Sequence, residues 1–438
     1  MNTRPVRMVF CLLLIWAGWI YSAQADDTVL TLEQITKTAL HRNPAIAISR
    51  QEVEASRARV TQAYSAYLPQ VAANSGYTRR NQWMINFFNG TKYRYQDNDI
   101  LGALSISQYL YDFGQTSGRV EQSRFGFSAS EKAVDKTIAD TVRDVKKSYF
   151  EVLKKQSLVQ VNKESVRTQE EHLDQARAFF KEGVRPRIDV TKAEVGVANS
   201  RLNLIHAEYA LRSSRLDLES LLGGPPVEGA YHLADISASY SQDIQPVDEL
   251  VEEADSHRPE FAVLKDQIRA AQAQFKSSQA GRWPSITAKA TGGWENINTF
   301  GLTNNDDFPL RDVWQIGVNV TWPLFTGYRV QGKIAESQAE ISKLESKQRQ
   351  LELLVFNEVS TAYLGVRETV ESIKTSELAL QQAKENMELA DGRYRNGVGN
   401  ALEYSDAELA LTQAKSNLVQ TSYLYHQRMA DLDYAVGR

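Results

Sequence analysis

Residues spaced for bond-making chemistry are scarce in this chain of 438 residues. The single cysteine, Cys11, lies in the apolar N-terminal segment, so no thiol nucleophile, thiolate metal site or disulfide is available beyond it. The six histidines, His41, His172, His206, His232, His257 and His426, show no HExxH or related metal spacing and are assigned to surface or interface positions. There is no G-x-S-x-G, no P-loop and no Gly-rich dinucleotide turn. Gly223-Gly224-Pro225-Pro226 has a phosphate loop's glycines, but its two prolines remove donors, and it reads as a helix stop. No catalytic residue, metal or cofactor is therefore expected. What remains is a carboxylate pair, Glu403 and Asp406, three residues apart on one helix face. Taken alone, such a pair is ordinary for a helix N-terminus, where the macrodipole favours acids.

Arg4 and Arg7, the apolar stretch Met8 to Ile20 and the small-x-small site Ala23-Gln24-Ala25 make residues 1–25 a secretory signal. The residue after the cleavage point is Asp26, which excludes a lipid-modified cysteine there. Without the signal the chain keeps 48 basic and 54 acidic side chains, and this deficit of cations argues against nucleic acid as a partner. Beyond the signal no uncharged apolar run reaches the roughly 18 residues of a spanning helix. Any bilayer crossing must be made by strands.

The elements that would position the carboxylates are written twice. Pro44 and Pro69 recur as Pro259 and Pro284, an offset of 215 residues. Leu110-Tyr111 recurs as Leu324-Phe325, Tyr149 as Tyr363, Gly183-Val184 as Gly397-Val398 and Gly223 as Gly437, now at an offset of 214. The register divides the mature chain into repeats over 26–224 and 247–438, joined by a linker over 225–246. Asp189 and Lys192 are the first-repeat counterparts of Glu403 and Asp406.

Each repeat opens with helical sequence, Leu32 to Tyr67 interrupted at Pro44 and Val247 to Gly281 interrupted at Pro259. After Pro69 and Pro284 the period changes to two. Trp314, Ile316, Val318, Val320, Trp322 and Leu324 form an apolar face against Gln315, Asn319 and Thr321. Ile286, Ala288 and Ala290, and Leu104, Ile106 and Leu110, mark further strands, giving hairpins over 69–111 and 284–325 with polar tips at Asn86 to Asp99 and Asn296 to Asp307. Strands of about 10 to 13 residues with tryptophan at both ends of one face match tilted membrane strands. Four strands are too few to close a barrel, which needs about eight, so several copies must share one.

Proline is absent from 115–180 and 328–394, and helices of that length would run roughly 100 Å. Phe356, Val359, Tyr363, Val366, Val370 and Ile373 step by three and four, as do Val142, Val145, Tyr149 and Val152, a coiled-coil seam. Each helix meets a glycine turn, Gly183-Val184-Arg185-Pro186 or Gly397-Val398-Gly399-Asn400, and a second helix returns to Gly223 or Gly437.

Three features together resemble the TolC family of outer-membrane efflux ducts over the whole mature chain. They are the junctions Leu110-Tyr111-Asp112-Phe113-Gly114 and Pro323-Leu324-Phe325-Thr326-Gly327, the two glycine turns with Arg393-Tyr394 before Gly397, and the duplication. The resemblance implies a mainly α fold with a membrane β-barrel part: a homotrimer with twelve shared strands and a twelve-helix periplasmic tunnel. It implies a non-enzymatic outer-membrane duct of a tripartite efflux pump or type I secretion system. Its partners would be a periplasmic adaptor (membrane fusion) protein and an inner-membrane transporter of the RND or ABC type. It casts Glu403 and Asp406 as an acidic ring at the tunnel entrance, Gly183, Val184, Gly397 and Val398 as adaptor-docking tips, and the Trp314 to Leu324 face as lipid-facing. Some relatives carry arginine where this chain has Gly399, so a gate built on an arginine there is not expected. With the chain stopping at Arg438, a compact equator is expected. The competing reading is a soluble periplasmic coiled-coil scaffold.

Overall fold

The computed structural model describes residues 28–85, 88–226, 231–235, 244–295 and 310–438. The signal segment and the tip expected at Asn296 to Asp307 lie outside them.

In chain order the elements are β1 (Thr28–Leu30), α1 (Leu32–Arg42), α2 (Pro44–Tyr64), a 3-10 turn (Ser65–Tyr67), β2 (Gln70–Ile85), β3 (Lys92–Tyr111), α3 (Gln115–Lys181) and α4 (Arg187–Leu222). They continue as β4 (Tyr231–Leu233), α5 (Val247–His257), α6 (Pro259–Ala280), β5 (Ser285–Glu295), β6 (Arg311–Thr321), α7 (Arg329–Arg395) and α8 (Ala401–Val436). Helices α3 and α7 have 67 residues each, and α4 and α8 have 36 each. Four helices therefore follow four others at the sequence offset.

Local chemistry sets the boundaries. Thr31 and Gln34 form a capping box at α1, and the Asn43 side chain accepts from Ala45 N at 2.7 Å, with Pro44 at the first position of α2. At the strand-to-helix corner the Asp112 carboxylate accepts from Gly114 N and Thr116 N, at 3.2 and 2.7 Å. Thr326 takes the same position before α7 and accepts from Val330 N at 3.4 Å. Both corners need two consecutive left-handed residues: Phe113 and Gly114 (φ 54° and 96°) in one, Gly327 and Tyr328 (φ 59° and 64°) in the other. The glycine has exchanged places with an aromatic residue while the backbone course is the same.

A four-stranded antiparallel sheet has the order β2-β3-β5-β6. Strands β5 and β6 have 11 residues each, close to a membrane span, whereas β2 and β3 have 16 and 20. The tip expected at Asn86 to Asp99 is much tighter, because pairing continues to Ile85 and Lys92. Asn89-Gly90, with Gly90 at φ 68°, supplies the turn, and the ladder resumes at once with Lys92 opposite Ile85. Strand β6 ends at Thr321, so Trp322 and Leu324 lie past it, where Pro323 cannot donate to a ladder. A bulge between Tyr109 and Tyr111 takes Leu110 out of the alternation with Leu104 and Ile106.

The linker is not featureless: β4 pairs in parallel with β1, Thr28 opposite Tyr231. This ribbon covers a core of Ile35, Ala39, Tyr149, Leu218 and Leu222, and the buried Tyr149 hydroxyl donates to Ala234 O at 2.6 Å. The second core gathers Leu250, Ala254, Val359, Val366, Val370, Ile373, Tyr425 and Leu432. Phe356 leaves the expected seam and is 54% exposed, while Val355 is buried. At that level α8 has ended and α5, from another side, covers α7.

Candidate functional site: hairpin tips and strand face

Both helical hairpins turn through the same cap. Val184 N donates to Phe179 O at 2.9 Å and Gly183 N to Phe180 O at 3.0 Å; Val398 N donates to Arg393 O at 3.1 Å and Gly397 N to Tyr394 O at 3.2 Å. This Schellman pattern requires the left-handed Gly183 and Gly397, at φ 74° and 79°. It leaves Val184 and Val398 exposed at the two apices, at 61% and 71%.

Helix α8 starts at Asn400, whose side chain accepts from Glu403 N at 2.8 Å. The Glu403 carboxylate is paired with Arg393 across the turn at 2.8 Å, whereas Asp406 is exposed and makes no ion pair among the described residues. In the first hairpin Asp189 is buried and Lys192 exposed. Of the four positions, Asp406 is the carboxylate left open to solvent.

Just behind the tips the hairpins interlock through residues whose partners the sequence did not disclose. His172 of α3 is buried and stacks on Tyr404 of α8, centroids 3.9 Å apart, with Tyr394 of α7 at 4.9 Å. Burial pushes the His172 imidazole down to about 4, against the opposing pull of Asp189 and Asp391. Burial also pushes the Tyr404 hydroxyl up. Arg185 reaches from the first turn to the second, donating to Gly399 O at 2.6 Å and lying over the Tyr394 ring at 4.9 Å. An arginine link between turns is thus present, supplied by the turn opposite to that expected from relatives. A Cβ at Gly399 would meet Arg393 Cβ at 2.9 Å and Tyr394 N at 3.0 Å, so this turn packs too closely for a larger residue.

From tips to equator the α3–α8 boundary is polar. Ser165 and Gln169 donate to the buried Glu408, each at 2.7 Å, and Lys415 meets Glu164 at 3.0 Å. Lys147 meets Asp431 at 2.8 Å, Gln427 donates to Glu151 at 3.0 Å, and the Tyr434 hydroxyl donates to Asp140 at 2.6 Å. Within a hairpin the contact is apolar instead, as with Leu173, Ala176, Ala193 and Val197 between α3 and α4.

Three sets of large apolar residues are exposed among the described residues. Trp314, Ile316, Val318 and Val320 on β6 are 77%, 75%, 61% and 65% exposed, and Trp322 and Leu324 are exposed beyond it. On α4, Ile188, Val195, Leu202, Tyr209 and Leu216 recur every seven residues and all are exposed. Leu353, Leu364, Leu378 and Leu389 are exposed on α7. Among the described residues no group of histidines, cysteines and acids is placed to hold a metal, and no helix is long and apolar enough to cross a membrane.

The model of the family described as outer membrane efflux protein matches residues 35–224 and 250–438. Nodulation protein T of Rhizobium leguminosarum bv. trifolii is 22% identical over 425 residues, covering 94% of this chain and 86% of the relative. Outer membrane protein TolC of Salmonella enteritidis is 23% identical over 435 residues, covering 96% and 84%. The solved CmeC outer membrane channel of Campylobacter jejuni superposes with a TM-score of 0.79 at 17% identity, covering 93% of this chain and 85% of that one. Matched in both of its repeats, the chain belongs to the outer membrane efflux protein family.

Proposed function

We propose that three copies of this chain close one continuous duct, a twelve-stranded barrel in the outer membrane above a twelve-helix tunnel in the periplasm. The carrying observation is the sheet β2-β3-β5-β6, open at both edges, with one face of β6 exposing a row of large apolar side chains. An open edge is not tolerated in hydrocarbon, and four strands cannot curl into a barrel, so β6 of one copy pairs with β2 of the next. The Trp314, Ile316, Val318, Val320, Trp322 and Leu324 side chains then face lipid.

The helices support the same closure. Helix α3 packs on α4 and α8, and α8 on α7, which leaves α4 and α7 as outer helices of the set. Each carries an exposed apolar stripe, as expected of a coiled-coil seam awaiting its partner. Tunnel closure lays α4 of one subunit against α7 of its neighbour.

The chain is an outer-membrane efflux channel with a long periplasmic extension, and channels of this family work with adaptor and inner-membrane pump components. In this reading it performs no catalysis and supplies the exit path, whether in a tripartite pump or in type I secretion. Val184 and Val398, apolar points beside Gly183 and Gly397 at the periplasmic apices, serve the adaptor. Glu403 and Asp406 ring the entrance, attracting cations. A soluble scaffold is disfavoured by the exposed β6 face. The test is purification in detergent followed by electron microscopy, which reads stoichiometry, barrel and tunnel together. A water-soluble monomer that washes from membranes with carbonate would refute the reading.

A further inference from the structure

The β2–β3 hairpin is too long for the membrane it would cross. Among the described residues β3 pairs with β5 only as far as Leu101, opposite Glu295, yet β2 and β3 pair onward to Ile85 and Lys92. Trp294, 62% exposed and the upper tryptophan on the face that carries Trp314, lies in register, through Gly102, with Ser75. Arg79 stands four residues and Trp83 eight residues beyond that level. At about 3.3 Å per residue and a tilt of about 40°, they rise roughly 10 and 20 Å above the upper tryptophan. The phospholipid headgroup zone is only about 5 to 8 Å deep.

Strand alternation continues the lipid-side face up this arm. Val71 and Ala73, which pair with Ile106 and Leu104, share their face with Tyr77, Arg79 and Trp83, and across the ladder with Arg94 and Lys92. Arg79, Lys92 and Arg94 are exposed, and Arg94 stands over the Trp83 ring at 5.6 Å. On the β2 and β3 side of this face no acidic residue is present among the described side chains above Ala73; the nearest acid of the face, Asp312 of β6, is level with Ser75. The face passes from apolar to cationic along one pair of strands.

We propose that this arm docks the phosphorylated sugars of an outer-leaflet glycolipid, with Arg79, Lys92 and Arg94 meeting phosphate and Trp83 lying against sugar. The assignment rests on the lipid-facing reading of β6. Two features select the ligand: cations on a face continuous with the lipid contact call for an anion anchored in that leaflet, and their height requires phosphates carried on sugars rather than on a phospholipid headgroup. Arginine offers phosphate a bidentate fork, and the ring beside Arg94 orders it.

The experiment uses the full channel in phosphatidylcholine vesicles containing rough lipopolysaccharide with a phosphorylated inner core, the same glycolipid after dephosphorylation, or neither. Glycolipid retained by the affinity-purified channel is weighed by mass spectrometry. Wild type retains at least fivefold more of the phosphorylated form, and R79Q/K92Q/R94Q loses that excess while inserting into plain phosphatidylcholine like wild type. A charge-keeping R79K/R94K variant holds most of it. Equal retention by wild type and the triple variant, or retention indifferent to phosphate, overturns the arm's role with the barrel intact. Failure of wild type to insert at all overturns the barrel as well.

Discussion

The imidazole of His172 lies face to face with the ring of Tyr404, centroids 3.9 Å apart and planes 11° from parallel. These residues belong to different repeats, and with Arg185 on Gly399 O they tie the two tips together. Burial holds this imidazole uncharged near neutral pH, lowering its pKa from 6.5 to about 4.

A group that takes up its proton more readily when released than when docked stabilises the docked form at high pH. The tie is therefore at full strength above pH 6.5 and is lost progressively as pH falls toward 4. Hydrogen exchange at 393–404, corrected for its intrinsic chemical rate, is expected to quicken below pH 6 in wild type and to stay flat with pH in His172→Phe. Identical profiles would remove the imidazole from the tie.

The two entrance carboxylates differ in their pairing. Glu403→Gln leaves Arg393 as an unpaired cation at the entrance, so it should reduce cation preference in planar bilayers at least as much as Asp406→Asn, which removes a lone charge. Arg393→Gln should raise the preference, freeing Glu403. Unchanged selectivity in all three would place the entrance field elsewhere.

On β6, Val318→Arg should cost about 2 to 4 kcal/mol of insertion, the range for a cation on the lipid face at mid-membrane. Asn319→Arg, next along the strand and on the opposite face, should be tolerated. Membrane fractionation of the two variants reads the difference, and the reverse ranking would exchange lumen and lipid.

The α4 stripe is expected to be a subunit contact. Leu202→Glu with Tyr209→Glu should shift the detergent-purified protein from trimer to monomer in size-exclusion chromatography, while Asn203→Glu, exposed off the stripe, should leave it trimeric. A trimer surviving the double change would separate α4 from the interface.

Long helices, glycine turns and the strand hairpins are legible because each is written in local sequence, and repetition at 215 and then 214 residues checks every reading against a second copy. What was hidden depends on partners far apart in the chain. Nothing near His172 names Tyr404, and Arg185 looks like a turn residue until Gly399 is folded beside it. The arm above the barrel was hidden differently: Asn, Asp and Gln between residues 89 and 99 carry the composition of a loop, yet cross-strand pairing holds them extended. Phe356 was misplaced because the heptad was extended past the end of α8, where a different helix becomes the neighbour.

The polar α3–α8 boundary bears on the order in which the molecule is built. Its pairs join residues more than 230 positions apart, whereas each helical hairpin closes on its own turn. The earlier half emerges first and can zip up while the later half is still being threaded out of the cytoplasm. While it waits, the flank reserved for its twin presents Lys147, Glu151, Glu164 and Gln169, which water solvates, around the rings of Phe150 and His172. A half-made chain is thereby wettable on the side where it would otherwise be stickiest, and assembly has time to finish before aggregation intervenes.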